Sequence, residues 1–368
     1  MMTVGFKNQI CQIFRCSAQP NWGARVCRVT ASNGTPRSVV QRPGSPRLHI
    51  IRREERMRRS ATFAVLVTLL SAALCPVPVT GQELQTNPRP ALPYPPSVSV
   101  ESQCGPIDDL EPVEFYAGSL GVTVDYVRQN EPSTVLFQWL SSQDIRSRLP
   151  EDLTGNIAGR RWCTGTLISE SLVLTAGHCF DVQRNQNGWI SPFRLGPDGQ
   201  AAYEPPETLA TLFTVQFGYQ LSRQTSLLRT PYSFPVEQLV EFRRGGLDYA
   251  IVRLSKNGNG LEAGSIAAPA TVGVTPTSAG NRLAIIQHPN GEPKMIGAGA
   301  LLKASGNDLF YDDIDTLGGS SGSAIRDEQG TIAGVHTHGG CLTEATPGKI
   351  NANAGVDIQA IAAVSDVF

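Results

Sequence analysis

The sequence has little charge, few aromatic residues and only short apolar runs. Of its 368 residues only 17% are charged and 7% aromatic, and 31 Lys and Arg nearly balance 32 Asp and Glu. A hydrophobic fraction of 40% excludes a protein that is mainly a long disordered tail, and no collagen-like repeat is present. Residues 82–368 hold 19 basic and 30 acidic residues. This surplus of acidic residues argues against nucleic acid as a partner, because phosphate binding needs a basic surface.

An uncharged, mostly apolar run covers residues 61–74. It is too short to cross a bilayer comfortably, which takes about 20 apolar residues. Met57-Arg58-Arg59 precedes the run and short residues follow it up to Gly81, which is typical of a secretory signal peptide. We predict a signal peptide over residues 57–81, a secreted or periplasmic product, and no stable membrane insertion after cleavage; a buried helix or membrane anchor is the alternative. Residues 1–56 are then a non-native upstream extension or a disordered one.

The rest of the chain changes character near residue 131. Residues 82–100 contain five prolines, and residues 101–130 are mixed and acidic, so we predict a proline-rich linker or pro-segment over 82–130. From 131 onward, short β-branched runs alternate with Gly, Pro and Asn, which indicates an all-β barrel or sandwich. The exception is the C-terminus, where Ile358, Ile361 and Phe368 can share one helix face.

Three motifs stand out in the chain from residue 131 onward, and their combination is more informative than any one of them. They are CTGTLI with LVLTAGHC at 163–168 and 172–179, LDYAIVRL at 247–254, and DTLGGSSGSA at 315–324.

These motifs supply the groups that acyl transfer needs. The Ser321 hydroxyl is a weak nucleophile until a base such as His178 takes its proton. A carboxylate must hold the imidazole in one tautomer, for which Asp248 is the candidate and Asp181 the alternative. Backbone N–H groups of Gly319 and Ser321 are the candidate oxyanion donors, since glycine permits the tight turn that aims amides at one point.

Together the motifs resemble the trypsin-like serine peptidases, and within them the glutamyl-endopeptidase (V8-like) branch, over residues 131–368. The resemblance implies two packed six-stranded antiparallel β-barrels with a short C-terminal helix, and no cofactor or metal. It assigns His178 as general base, Asp248 as its orienting carboxylate and Ser321 as nucleophile. Residues 183–245 are long for the family and are expected to hold an insertion or extended loops. Trypsin-like zymogens use an aspartate immediately before the nucleophile; Ser320 stands there, which implies a different activation.

The resemblance also implies a disulfide between Cys163 and Cys179. After signal removal Cys104 and Cys341 are the cysteines left over, and they either pair or stay free thiols. A zinc site is not expected, because close Cys/His pairs of the usual spacing are absent outside the catalytic loop.

The residues expected to bind the substrate side chain indicate two conflicting specificities, one for acidic and one for basic side chains. Thr316 and His336 match positions that hold a glutamate carboxylate in the V8-like branch, and both can donate hydrogen bonds to it. Asp315 matches the position where trypsin binds Arg or Lys, and its charge would repel glutamate. An acidic preference is favoured and a basic one stays open.

The sequence therefore predicts a secreted serine endopeptidase that acts on polypeptide substrates. Two alternatives remain: an inactive protease homologue that serves as a binding module, and an esterase with the same catalytic residues.

Overall fold

The computed structural model describes residues 102–181, 188–273, 277–341 and 350–368, together with the backbone of four short strands near the N-terminus. Those strands, β1 (Phe14–Ser17), β2 (Val26–Thr30), β3 (Pro36–Val40) and β4 (His49–Ile50), form an antiparallel sheet in chain order. They belong to a unit spanning Met1–Val79, separate from the unit Thr80–Phe368. The predicted signal peptide and the proline-rich stretch lie outside the described residues, and the upstream extension stays a prediction.

The larger unit begins with elements that lead into its first barrel. They are β5 (Glu111–Pro112), α1 (Val124–Asn130), β6 (Thr134–Trp139), α2 (Ser142–Arg148), β7 (Arg161–Leu167), β8 (Leu172–Thr175), β9 (Phe193–Leu195), β10 (Ala201–Tyr203), α3 (Pro206–Thr211), β11 (Phe213–Phe217), β12 (Tyr232–Arg243) and β13 (Tyr249–Leu254). Strands β11-β12-β13-β8-β7-β6 close into an antiparallel six-stranded barrel. The region 183–245, expected to be an insertion, thus supplies two barrel strands besides the separate β9–β10 hairpin.

The remaining elements build the second half of the unit. They are β14 (Arg282–Gln287), β15 (Met295–Ala300), β16 (Lys303–Ser305), β17 (Asp308–Tyr311), β18 (Ala324–Arg326), β19 (Ile332–His338), β20 (Asn353–Asp357) and α4 (Ile358–Ala362). They form an eight-stranded antiparallel sheet in the order β16-β17-β20-β19-β18-β14-β15-β5. Within the described residues it has two short edge strands beyond the six expected. β5 comes from the N-terminal segment and pairs with β15, whereas β16 pairs with β17 at the opposite edge.

Apolar side chains fill each half and the contact between them. Phe137, Trp139 and Phe213 stack inside the first barrel, and burying a side chain of this size contributes about 1.5–3 kcal/mol. A separate cluster joins Leu174 and Ile251 of the first barrel to Val335 and Val356 of the second sheet, together with apolar residues of α4. The two halves are therefore packed together along the face where the three motifs meet.

The C-terminal helix forms as predicted, but it is shorter than its apolar pattern. Ile358 and Ile361 of α4 are buried, whereas Phe368 lies beyond the helix end and is 37% exposed. Among the described residues no helix is both long and apolar enough to cross a membrane.

Residues 102–130, assigned from the sequence to a linker or pro-segment, pack against the second sheet. β5 pairs with β15, and Tyr116, Val122 and Val127 join a buried cluster with Ile286. The apolar side chains of this segment anchor it by burial. The folded body therefore begins ahead of residue 131.

Candidate active site

Antiparallel pairing of β8 with β13 brings the first two motifs together. Ala250 pairs with Thr175, so the residues just after β8 and just before β13 lie at the same barrel edge. His178 sits in a 3-10 turn after β8, and Asp248 immediately precedes β13. His178 Nδ1 lies 2.7 Å from Asp248 Oδ2, and the His178 backbone N–H donates to Asp248 Oδ1 at 2.8 Å.

The third motif places a hydroxyl on the other side of the same ring. His178 Nε2 lies 2.6 Å from Ser321 Oγ. Ser321 is buried in the loop before β18, while the His178 side chain is 20% exposed. The structure thus brings the three residues into one contiguous chain of hydrogen bonds, although they are 70 and 143 positions apart. Asp181, the alternative carboxylate, instead contacts Arg244 at 3.1 Å.

A charged group that the sequence motifs did not reveal touches Asp248. Arg244 Nη1 lies 3.0 Å from Asp248 Oδ1, and the Arg244 side chain is 39% exposed. Burial alone would raise the pKa of Asp248, but the charge and hydrogen bonds of His178, with the charge of Arg244, hold that pKa well below its usual range. Asp248 is therefore an anion throughout the neutral range. In the sequence, the contact between Arg244 and Asp248 could be suspected only from their spacing of four residues. Oppositely charged residues at that spacing are common on protein surfaces, so the spacing alone does not indicate a site.

The loop that carries Ser321 turns tightly at two glycines. Gly319 has a φ of +99° and Gly322 a φ of +86°, a region that favours glycine. A Cβ at Gly322 would lie 2.0 Å from the Thr175 hydroxyl, so only glycine fits there. Within the described part of the chain, the Gly319 N–H donates to no acceptor. The structure places Gly319 and Ser321, the predicted oxyanion donors, in this turn.

Two of the residues expected to bind substrate lie buried near the nucleophile. Thr316 is fully buried, and its hydroxyl has no hydrogen-bond partner among the described residues. His336 is also fully buried, and the Tyr311 hydroxyl contacts its Nδ1. Burial, followed by the charges of His338 and His178, lowers the pKa of His336 to about 3. The ring is therefore neutral near pH 7, so it offers a hydrogen bond but not the positive charge of an imidazolium.

The third such residue, Asp315, is occupied by the chain itself. Its Oδ1 accepts the Cys104 N–H at 2.5 Å and its Oδ2 accepts the Asp109 N–H at 3.1 Å. Asp315 is 1% exposed. Its carboxylate thus anchors the segment before the first barrel.

Both cysteine pairs form disulfides. The implied Cys163–Cys179 bond is present, and Cys104 is bonded to Cys341 across 237 positions, so the alternative of two free thiols is wrong. His178 lies close enough to Cys163 and Cys179 for a three-ligand metal group, but the two sulfurs are bonded to each other and are not thiolate ligands.

Comparison with known proteins finds a peptidase-domain match that spans His178, Asp248 and Ser321. The family model of the trypsin-like peptidase domain matches residues 163–335. Exfoliative toxin A of Staphylococcus aureus is 25% identical over 207 residues, which cover 55% of this chain and 65% of that protein. The match thus spans slightly less than two thirds of that relative's length.

Two solved structures are similar over most of this chain. A Glu endopeptidase in complex with MPD has a TM-score of 0.41 and 17% identity, and covers 72% of this chain and 95% of its own. The serine endoprotease from Yersinia pestis has a TM-score of 0.38 and 15% identity, and covers 65% and 63%. Residues 163–335 of this all-β unit thus match the trypsin-like peptidase domain.

Proposed function

We propose that this protein is a secreted serine endopeptidase that hydrolyses polypeptide substrates with Ser321, His178 and Asp248. The observation that carries the proposal is the pair of contacts on the two nitrogens of His178, 2.6 Å to Ser321 Oγ and 2.7 Å to Asp248 Oδ2. A base within hydrogen-bond reach of a hydroxyl, itself oriented by a buried carboxylate, is the arrangement that activates a serine nucleophile. An intact set of this kind favours an active enzyme over a silent homologue.

In the proposed reaction the Ser321 oxygen attacks the substrate carbonyl while its proton passes to His178 Nε2. Asp248 keeps the hydrogen on Nδ1 and stabilises the imidazolium that forms. The N–H groups of Gly319 and Ser321 bind the oxyanion of the tetrahedral intermediate. The imidazolium then protonates the leaving amine, and a water molecule activated by His178 releases the acyl group.

We further propose a preference for an acidic residue on the acyl side of the cleaved bond. The buried Thr316 hydroxyl has no partner in the part of the chain that the structure describes, which supports this preference, since a carboxylate would satisfy a donor that is otherwise costly to bury. Neutral His336 supplies a second donor. The engagement of Asp315 with backbone N–H groups of Cys104 and Asp109 argues against a site for Arg or Lys.

Secretion rests on two observations. The predicted signal peptide provides the route, and two disulfides fit an oxidising compartment. The proposed location is extracellular or periplasmic.

A fluorophosphonate probe tests the proposed chemistry. It should label the wild type and Ser320→Ala, but not Ser321→Ala, because the Ser321 hydroxyl lies 2.6 Å from the base His178 Nε2. Absence of labelling in the wild type, or labelling that survives Ser321→Ala, would contradict the assignment. Turnover of esters but of no peptide would favour the esterase alternative.

A mixed peptide library tests the proposed specificity. Products should be enriched in Glu or Asp on the acyl side, and Thr316→Val should reduce that enrichment more than it reduces ester hydrolysis. A library profile without acidic enrichment would refute the acidic pocket.

A further inference from the structure

The loop around the nucleophile is held by its carbonyl groups. The Gly318 carbonyl accepts the Asn290 N–H, and the Gly319 carbonyl accepts the Thr164 hydroxyl at 2.8 Å. The Ser320 carbonyl accepts the Ser323 hydroxyl at 2.6 Å. No peptide bond among them is cis, and in a trans peptide the N–H points opposite to the C=O. Each bond to a carbonyl therefore also aims the N–H of the following residue.

Gly319 is the point in this loop where such control matters most. Glycine visits many φ and ψ values, so its conformation has to be imposed by the two peptides that flank it. Asn290 holds the peptide before Gly319, and Thr164 holds the peptide after it. The loop from Gly318 to Ser323 contains no charged side chain that an ion pair with another part of the protein could anchor.

Thr164 reaches this loop from the opposite barrel. It lies in β7, is fully buried, and its backbone N–H donates to the Ser321 carbonyl at 2.9 Å. Its hydroxyl oxygen accepts the His288 N–H at 3.0 Å, which leaves the single hydroxyl hydrogen for the Gly319 carbonyl. The hydrogen bond to Gly319 therefore has a defined direction, and the Thr164 hydroxyl has no competing acceptor among the residues that the structure describes.

We infer that Thr164 is a positioning residue for the oxyanion site: Asn290 holds the Gly318–Gly319 peptide that carries the Gly319 N–H, and the Thr164 hydroxyl holds the Gly319–Ser320 peptide after it. With both flanking peptides held, Gly319 keeps the one conformation in which its N–H can bind the oxyanion. This inference rests on the proposed function. It adds a residue of the first barrel to the machinery that stabilises the transition state. It also gives the loop an internal anchor that requires no new N-terminus.

The test compares Thr164→Val, which keeps the shape and removes the hydroxyl, with Thr164→Ser, which keeps the hydroxyl. Thr164→Val should lower kcat by about 10- to 100-fold, somewhat less than the loss of a whole oxyanion donor, with KM within about twofold. It should weaken binding of a peptide aldehyde, whose hemiacetal oxygen occupies the oxyanion site, by a similar factor. Thr164→Ser should keep kcat within about threefold.

The matched control is Thr166→Val. Thr166 lies in the same strand and is equally buried, but its hydroxyl has no partner among the described residues. The kcat of Thr166→Val should therefore equal that of the wild type. Hydrogen exchange of the segment 317–323 is a second readout that does not depend on activity. It should be faster in Thr164→Val than in the wild type, Thr164→Ser and Thr166→Val.

The outcomes separate this inference from the proposed function. Unchanged kcat and unchanged exchange in Thr164→Val, with an active wild type, overturn the inference alone. Equal loss in Thr164→Ser and Thr164→Val also overturns it, since the hydroxyl would then not be the cause. A wild type without any peptidase activity refutes the proposed function, and the exchange comparison still decides whether Thr164 holds the loop.

Discussion

The pair of carboxyl groups formed by Asp109 and Asp315 makes the stability of this protein depend on pH in an unusual direction. Burial first, and then the charge of Asp315 and a hydrogen bond between the two carboxyl groups, raise the pKa of Asp109 from 3.8 to about 6. A carboxyl whose pKa is raised on folding contributes stability that is complete below its unfolded pKa and is lost as pH rises through its folded pKa. The window is therefore pH 4 to 6, with the loss complete near pH 7.

The size of the effect follows from the shift. Each unit of pKa corresponds to about 1.4 kcal/mol, so the full shift would be worth about 3 kcal/mol. Asp109 is exposed by surface area, and solvent screening reduces such an interaction. We therefore expect Asp109→Asn to stabilise the protein by about 1–2 kcal/mol above pH 6, while changing little below pH 4.

Denaturant unfolding at pH 4 and pH 7.5 measures this effect, in a Ser321→Ala background that prevents self-digestion. Asp108→Asn is the matched control, because asparagine retains the oxygen that accepts the Leu110 N–H. The charge of Asp108 is the smallest of the causes that raise the pKa of Asp109, so this variant should show a much smaller pH-dependent gain. If Asp109→Asn changes stability by the same amount at both pH values, the raised pKa is not the cause and the reasoning fails.

Two further predictions concern charged groups that the fold brings together. Arg244→Gln removes the guanidinium donor 3.0 Å from Asp248 and should lower kcat/KM about tenfold, or about 1.4 kcal/mol of transition-state stabilisation. Arg244→Lys should recover part of the lost kcat/KM, and the change Arg243→Gln at the exposed neighbour should have no effect. Equal rates for Arg244→Gln and the wild type would exclude a role for the guanidinium. Glu131→Gln removes the carboxylate that pairs with Lys294, whose side chain is 0% exposed, and should cost about 3 kcal/mol in denaturant unfolding. Lys294→Met should cost less, because it removes the buried charge, and the opposite order would contradict this account.

The proximity of His178, Asp248 and Ser321 could be predicted because each of them lies in a short motif with its own local chemistry. His178 follows a β-branched strand, and Ser321 lies among glycines that a tight turn requires. The barrel strands were equally visible, since β-branched runs such as Tyr249–Leu254 reflect burial on both faces. Such signals are local, so a single sequence carries them.

The contacts that were not foreseen depend on residues far apart in the chain. β5 has two residues and pairs with β15 about 180 positions later, which no local pattern encodes. Asp315 matched a substrate-binding position, but its partners are set by where the segment from Cys104 to Asp109 runs over the second sheet. The role of Thr164 likewise appears only when two barrels meet, because its hydroxyl acts on a loop 155 positions away.

The bond between Cys104 and Cys341 encloses nearly the whole catalytic body. A single cut anywhere between these two cysteines leaves both pieces covalently joined. Electrophoresis without a reducing agent would then report one species of unchanged mass, even for a preparation already nicked in an exposed loop. Samples treated with dithiothreitol would instead separate into fragments. A single band on a non-reducing gel therefore does not show that the polypeptide chain is intact.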